Sequence, residues 1–180
     1  RKTELILPVF WLFCGLLLTG VGSAYYHLAP DNQSLFWDRF PMTISFMALT
    51  SFIISEYIDK NWGTKLLYPL LLVGIGSVVF WAATEQLGNG DLRLYVLVQF
   101  LPLALFPFVI FLFDSKNYQR KDMLIFMLFY ILAKLCEHFD QEIYEVGKLL
   151  SGHSIKHILA AMGAYWFLYV YRLTNYKNKK

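Results

Sequence analysis

Six long apolar segments take up most of the 180-residue chain and restrict it to a small set of folds. A helix needs about 20 predominantly apolar residues to cross the hydrocarbon core of a bilayer. The candidate spans cover residues 5–28, 38–58, 66–84, 92–113, 122–139 and 153–173. We therefore expect an all-α integral membrane protein with six transmembrane helices, forming a single domain over residues 1–180.

Composition supports lipid as the main solvent of this chain. Apolar residues make up 57% and charged residues only 16%, against about a quarter charged in soluble domains. A soluble helical core would also need polar faces recurring every three to four residues, and most segments lack them. The two cysteines, Cys14 and Cys136, lie in apolar stretches and cannot build a disulfide framework.

The basic residues follow the connections between spans and form no basic stripe, which argues against a nucleic-acid partner. With six spans, one side of the membrane receives Arg1, Lys2, Lys60, Lys65, Lys116, Arg120, Lys121, Arg172, Lys177, Lys179 and Lys180, and the other receives Arg39, Arg93, Lys148 and Lys156. Lysine and arginine accumulate on the cytoplasmic side. Both ends of the chain are therefore expected in the cytoplasm, and the loops near Pro30, Gly88 and Gly147 outside.

Three of the four histidines fall at the same predicted membrane face. His27 closes the first span, Asp38 opens the second, and His153 and His157 open the sixth. Residues four apart share a helix face, so His157 lies one turn from His153, and Ser23 one turn from His27. Because ionisable groups are costly within membrane spans, such a cluster predicts a functional site.

The chemistry that suits these residues is that of catalytic zinc, in which three neutral imidazoles leave a fourth position open. Zinc would bring the pKa of a bound water toward neutrality. Asp38 would accept the proton of that water and return it to a leaving group. Ser23 would orient the water or support the developing oxyanion.

Simpler interpretations remain open for two of these residues. Asp38 precedes Pro41 at a position suited to a helix N-cap. Ser23 could be a small packing residue beside Gly20 and Gly22. His138, the fourth histidine, is expected at the surface in a loop, and Lys134 is expected to pair with an acid that the sequence does not identify.

Several motifs resemble those of the alkaline ceramidase family, especially its bacterial members, within the superfamily that includes the adiponectin receptors. They are GSAYYH at 22–27, WDRFPM at 37–42 and GHSIKH at 152–157, with GDLR at 90–93 and VQFLP at 98–102 in support. The resemblance covers nearly the whole chain. Its ordered Ser-x-x-x-His, Asp and His-x-x-x-His set is specific.

This resemblance implies a seven-helix fold and intramembrane, zinc-dependent hydrolysis of the amide bond in ceramide-like N-acyl lipids. The products would be a free fatty acid and a sphingoid-type amine. By motif, His27, His153 and His157 become zinc ligands, and Asp38 and Ser23 lie beside the attacking water. The implied location is a bacterial inner membrane, with the zinc site near the non-cytoplasmic face.

The chain also departs from the family pattern. The family has a further first helix with a Trp-Asn-x-x-Ser-Asn type motif, and this chain begins after it, so it is either truncated or works with six helices. The acidic N-terminal calcium site of some eukaryotic members is missing, so no calcium is expected. Arg39 follows Asp38 where those members often have glutamate, which could favour an anionic lipid.

Two other classes of protein stay open. A membrane receptor or transporter with a structural zinc ion would bind the metal without hydrolysing amides. A haem-binding membrane protein would use histidines from two helices as axial ligands, but would leave Ser23 and Asp38 without a role. The sequence does not indicate a protein partner.

Overall fold

The structure, a computed structural model, describes residues 5–115 and 117–177. Helices account for 87% of these residues, and no strand occurs among them. The all-α expectation is therefore confirmed. Five residues of the predicted cytoplasmic basic set, Arg1, Lys2, Lys116, Lys179 and Lys180, lie outside the described residues, so their location stays a prediction from sequence.

The described residues form seven α-helices. They are α1 (Ile6–Leu28), α2 (Asn32–Ile53), α3 (Lys60–Gln86), α4 (Arg93–Leu112), α5 (Arg120–His138), α6 (Asp140–Gly147) and α7 (Gly152–Lys177). A π-helical turn, Ile54–Ile58, continues α2. The chain divides into two compact units, Arg1–Phe113 and Asp114–Lys180, so that α1 to α4 belong to the first and α5 to α7 to the second.

The predictions differ from the structure at four places. The second and third helices each begin six residues earlier than predicted, at Asn32 instead of residue 38 and at Lys60 instead of residue 66. The segment around Gly147, expected as a loop, contains the eight-residue helix α6. His138, also expected in a loop, is the last residue of α5. All four errors come from polar sequence that forms helix outside the apolar stretches.

Close backbone contact holds the first unit together. A Cβ on Gly15 would lie 2.8 Å from the backbone nitrogen of Ser45 and 3.0 Å from the carbonyl oxygen of Pro41, so only glycine lets α1 approach α2 this closely. At the other end of α2, the hydroxyl of buried Ser51 donates to the carbonyl oxygen of Gly63 on α3 at 2.9 Å. These contacts join the first three helices of the unit.

The second unit is built on packing between α5 and α7. The rings of Phe126 and Phe167 lie 5.4 Å apart, and Phe167 is almost fully buried. The indole nitrogen of Trp166 donates to the carbonyl oxygen of Asp122 at 2.9 Å. Aromatic packing and this hydrogen bond together fix the register of the two helices.

In the part of the chain that the structure describes, four helical segments are long and apolar enough to cross a membrane: Ile6–Leu28, Asn32–Ile58, Lys60–Gln86 and Arg93–Leu112. All four lie in the first unit, and they indicate a membrane protein. Within residues 5–115 and 117–177, α5 and α7 are not among the segments that meet this criterion. The six predicted spans are thus supported for four segments only.

Candidate metal centre

The first turn of α7 carries two histidines that face each other. The Nε2 atoms of His153 and His157 lie 3.1 Å apart, and the two ring centroids are separated by 4.8 Å at an interplanar angle of 69°. His153 is half-buried and His157 exposed. The His-x-x-x-His spacing therefore places two imidazole nitrogens close enough to bind one ion.

A carboxylate and a glycine fix the start of α7. Asp140, at the start of α6, accepts a hydrogen bond from the backbone N–H of His153 at 2.6 Å. This hydrogen bond lowers the pKa of the Asp140 carboxyl, because it stabilises the ionised form. A Cβ on Gly152 would overlap the carbonyl oxygen of Cys136 and lie 2.8 Å from the Cα of Asp140. Only glycine at position 152 lets α7 begin so close to α5.

A charged network lies beside His153. The carboxylate of Glu137 accepts from Lys134 at 2.6 Å and from Lys156 at 2.9 Å. The ammonium group of Lys156 also lies 3.4 Å from Nδ1 of His153. Glu137 is thus the acidic partner of Lys134 that the sequence did not identify. It accepts hydrogen bonds from one lysine of its own helix and from one lysine of α7.

In the first unit, the sequence places His27 and Ser23 on the last turns of α1. His27 is exposed, with its ring centroid 5.3 Å from that of Tyr26. Ser23 is buried. A Cβ on the preceding residue, Gly22, would overlap the carbonyl oxygen of Trp37 and lie 3.3 Å from the Cα of Asp38. The α1 segment that carries Ser23 is therefore packed directly against the α2 segment that carries Asp38.

Asp38 is not a helix cap. The N-cap of α2 is Asp31, whose carboxylate accepts from the backbone N–H of Ser34 at 2.6 Å. The hydroxyl of Ser34 accepts in return from the backbone N–H of Asp31 at 3.0 Å, which completes a capping box. Asp38 lies half-buried within α2, and Pro41 is also inside the helix. The N-cap interpretation of Asp38 was therefore wrong.

The geometry of the histidine pair suits a tetrahedral metal ion. Zinc–nitrogen bonds of about 2.0–2.1 Å place two imidazole nitrogens about 3.3 Å apart, close to the 3.1 Å between His153 and His157. Without a metal, one of the two nitrogens must carry a hydrogen to bond the other. The donor set of neutral imidazoles is also the one that catalytic zinc sites use.

Sequence reasoning missed three residues that position the pair: Glu137, Asp140 and Lys156. A signal existed in part, because Lys134 and Glu137 are three residues apart in one helix and can pair. The contacts of Asp140 and Glu137 with α7 depend on tertiary packing, which spacing alone does not reveal.

Comparison with protein-family models, with curated proteins and with solved structures finds no match for this chain.

Proposed function

We propose that the chain is an intramembrane zinc-dependent amidohydrolase that cleaves ceramide-like N-acyl lipids to a fatty acid and an amine. The observation that carries the proposal is the facing pair of imidazole nitrogens at the start of α7. His27 is proposed as the third ligand. The sequence resemblance to alkaline ceramidases supplies the substrate class.

The proposal includes six spans, with α5 and α7 also crossing the membrane. The charges of α5 and α7 support this, since Lys134 and Lys156 share the carboxylate of Glu137. Charged side chains in spans are tolerated when they pair within the protein. The bias of basic residues toward one side supports cytoplasmic ends and a site near the opposite face of a bacterial inner membrane.

Zinc held by His27, His153 and His157 would supply a Lewis acid that polarises the amide carbonyl and activates water at neutral pH. The residues of the chain have separate tasks. Asp38 takes a proton from the attacking water and delivers it to the departing nitrogen, so that the C–N bond breaks and an amine leaves. Ser23 donates a hydrogen bond to the oxygen on which negative charge develops.

Metal analysis of the purified, tag-free protein tests the ligand set. We expect one zinc per chain in the wild type, and loss of most of that zinc in each of His27→Ala, His153→Ala and His157→Ala. His138→Ala is the matched control and should keep its zinc, because His138 ends α5 and is not a proposed ligand. Unchanged zinc in His153→Ala and His157→Ala would refute the site.

Release of fatty acid from a panel of N-acyl lipids tests the role of Asp38. Asp38→Ala should retain zinc and lose about 10²–10⁴-fold in turnover, the usual contribution of a general base. Full activity of this variant would eliminate Asp38 as the base. Tightly bound zinc without hydrolysis of any lipid would indicate the receptor or transporter class instead, and a haem absorption spectrum would indicate the third class.

A further inference from the structure

Arg39 on α2 lies against an aromatic surface inside the first unit. Its guanidinium carbon is 4.6 Å from the ring centroid of Trp81 on α3 and 5.2 Å from that of Tyr95 on α4. Both distances are within the range of cation–π attraction. Trp81 and Tyr95 are themselves buried, and together with Val78 they form a hydrophobic cluster.

The aromatic rings do not satisfy the hydrogen-bonding capacity of this side chain. Nη1 of Arg39 is buried and has no hydrogen-bond partner among the described residues. Arginine cannot lose its proton in a protein, so burial leaves a charged donor without an acceptor. A buried charged donor is unfavourable unless an anion or another acceptor forms a hydrogen bond with it.

Two acids near this end of the unit have partners other than Arg39. Glu85, near the end of α3, accepts from the side-chain amide of Asn32 at 2.7 Å. Asp91, in the connection to α4, pairs with Arg93 at 2.7 Å. Asp38 directly precedes Arg39 in α2, and adjacent residues of a helix do not face each other. We therefore expect the acceptor for Arg39 to come from a ligand.

The position of Arg39 in the helices indicates the source of that ligand. Arg39 lies in the first third of α2, Trp81 in the last turns of α3 and Tyr95 in the first turn of α4. These are the ends of three candidate spans, at the same side of the membrane, where lipid headgroups lie. Arg39 as a whole is half-buried, so part of its side chain is exposed at this end of the helices.

We infer that Arg39, Trp81 and Tyr95 form a binding site for the phosphate of an anionic membrane lipid. The planar guanidinium suits a phosphate because two of its N–H groups can donate in parallel to two phosphate oxygens. The rings exclude water from one face of the guanidinium. This site requires neither zinc nor amide hydrolysis, so metal-free protein should bind the lipid equally well.

A lipid titration by native mass spectrometry in neutral detergent tests the site, with dioleoyl phosphatidylglycerol as the probe. Arg39→Gln should weaken binding about tenfold or more, as expected when charge-assisted hydrogen bonds are lost. Arg39→Lys keeps the charge without the planar fork and should be intermediate. Arg93→Gln is the matched control and should bind like the wild type, because Arg93 is exposed and paired with Asp91.

Further arms separate the sources of the anion and a purely structural role. Dioleoyl phosphatidylcholine should bind weakly, and millimolar inorganic phosphate should not displace phosphatidylglycerol. In lipid-free detergent, Arg39→Gln should unfold at the same temperature as the wild type or higher, while added phosphatidylglycerol should raise the midpoint of the wild type alone. Unchanged affinity in Arg39→Gln and Arg39→Lys, equal binding of the two lipids, or full displacement by phosphate would overturn the inference.

Discussion

The two units of the molecule accommodate polar side chains among apolar helices in different ways. In the first unit, several hydroxyl groups donate to carbonyl oxygens of their own helix. Examples are Thr19 to Gly15 at 2.8 Å, Thr50 to Phe46 at 2.8 Å and Ser77 to Gly74 at 2.6 Å. In the second unit, charged groups are compensated by one another, with Glu137 between Lys134 and Lys156.

The difference lies in what each arrangement requires of the fold. A hydroxyl that bonds its own backbone is satisfied as soon as its helix forms. Lys156 on α7 pairs with Glu137 only when α7 packs against α5. The helices of the first unit are therefore each recognisable as a candidate span, whereas the proposed insertion of α5 and α7 requires the two helices as a pair. The following predictions test this contrast.

The largest effect is expected where two backbones touch in the first unit. In Gly22→Ala, the new methyl group would overlap the carbonyl oxygen of Trp37, and overpacking against a rigid neighbour costs about 1–3 kcal/mol. Gly20→Ala is the matched control, because nothing lies within 4 Å of its added Cβ and alanine is favoured over glycine in a helix by about 1 kcal/mol.

Unfolding of both variants in detergent measures this difference. The midpoint should fall for Gly22→Ala and stay constant or rise for Gly20→Ala. Because Ser23 follows Gly22, fatty-acid release should also drop in Gly22→Ala and not in Gly20→Ala. Equal stability of the two variants would show that α1 and α2 lie farther apart at Gly22 than the structure indicates.

In the second unit, Glu137→Gln should destabilise the packing of α5 with α7. The substitution removes the charge that two partly buried lysines share. Because the Glu137 side chain is 35% exposed, the loss should be about 1 kcal/mol, the upper end for solvent-exposed ion pairs. Glu145→Gln is the control, since Glu145 is exposed and accepts from Gln141 of its own helix at 2.9 Å. Its effect should stay within about 0.5 kcal/mol. A Glu137→Gln protein as stable as the control would mean that the pairing forms too weakly to support insertion of these helices.

Helices were predictable from this sequence wherever apolar residues dominate, because the length of an apolar run sets the length of a span. The ends were harder. Asp31 and Ser34 form a capping box that is visible in the sequence. The start of α2 was nevertheless predicted at Asp38, which precedes Pro41 at a spacing that also suits a helix start. The helix α6 was missed because its eight residues contain few apolar side chains.

The candidate site was predictable to the extent that it depends on local spacing. The four-residue interval placed His153 and His157 on one face, as the structure confirms. Asp140 and Glu137 were not recognised, since their contacts with α7 join residues 13 and 19 positions apart. The ligand role of His27 and the catalytic roles of Asp38 and Ser23 remain predictions.

The smallest effect is expected for the exposed ion pair of the first unit, where Asp91 lies between α3 and α4. Hydrogen bonds from Arg93 lower the pKa of Asp91 from 3.8 to about 2. Since the folded protein favours the ionised carboxylate, the pair stabilises the fold fully above the ordinary pKa, and this contribution is lost as the pH falls from about 4 toward 2. Thermal midpoints of wild type and Asp91→Asn should therefore differ slightly at pH 6 and converge near pH 2. Because this pair is exposed to solvent, it should matter less than Glu137 at neutral pH. A difference that stays constant over this range would show that Asp91 acts through its shape and not its charge.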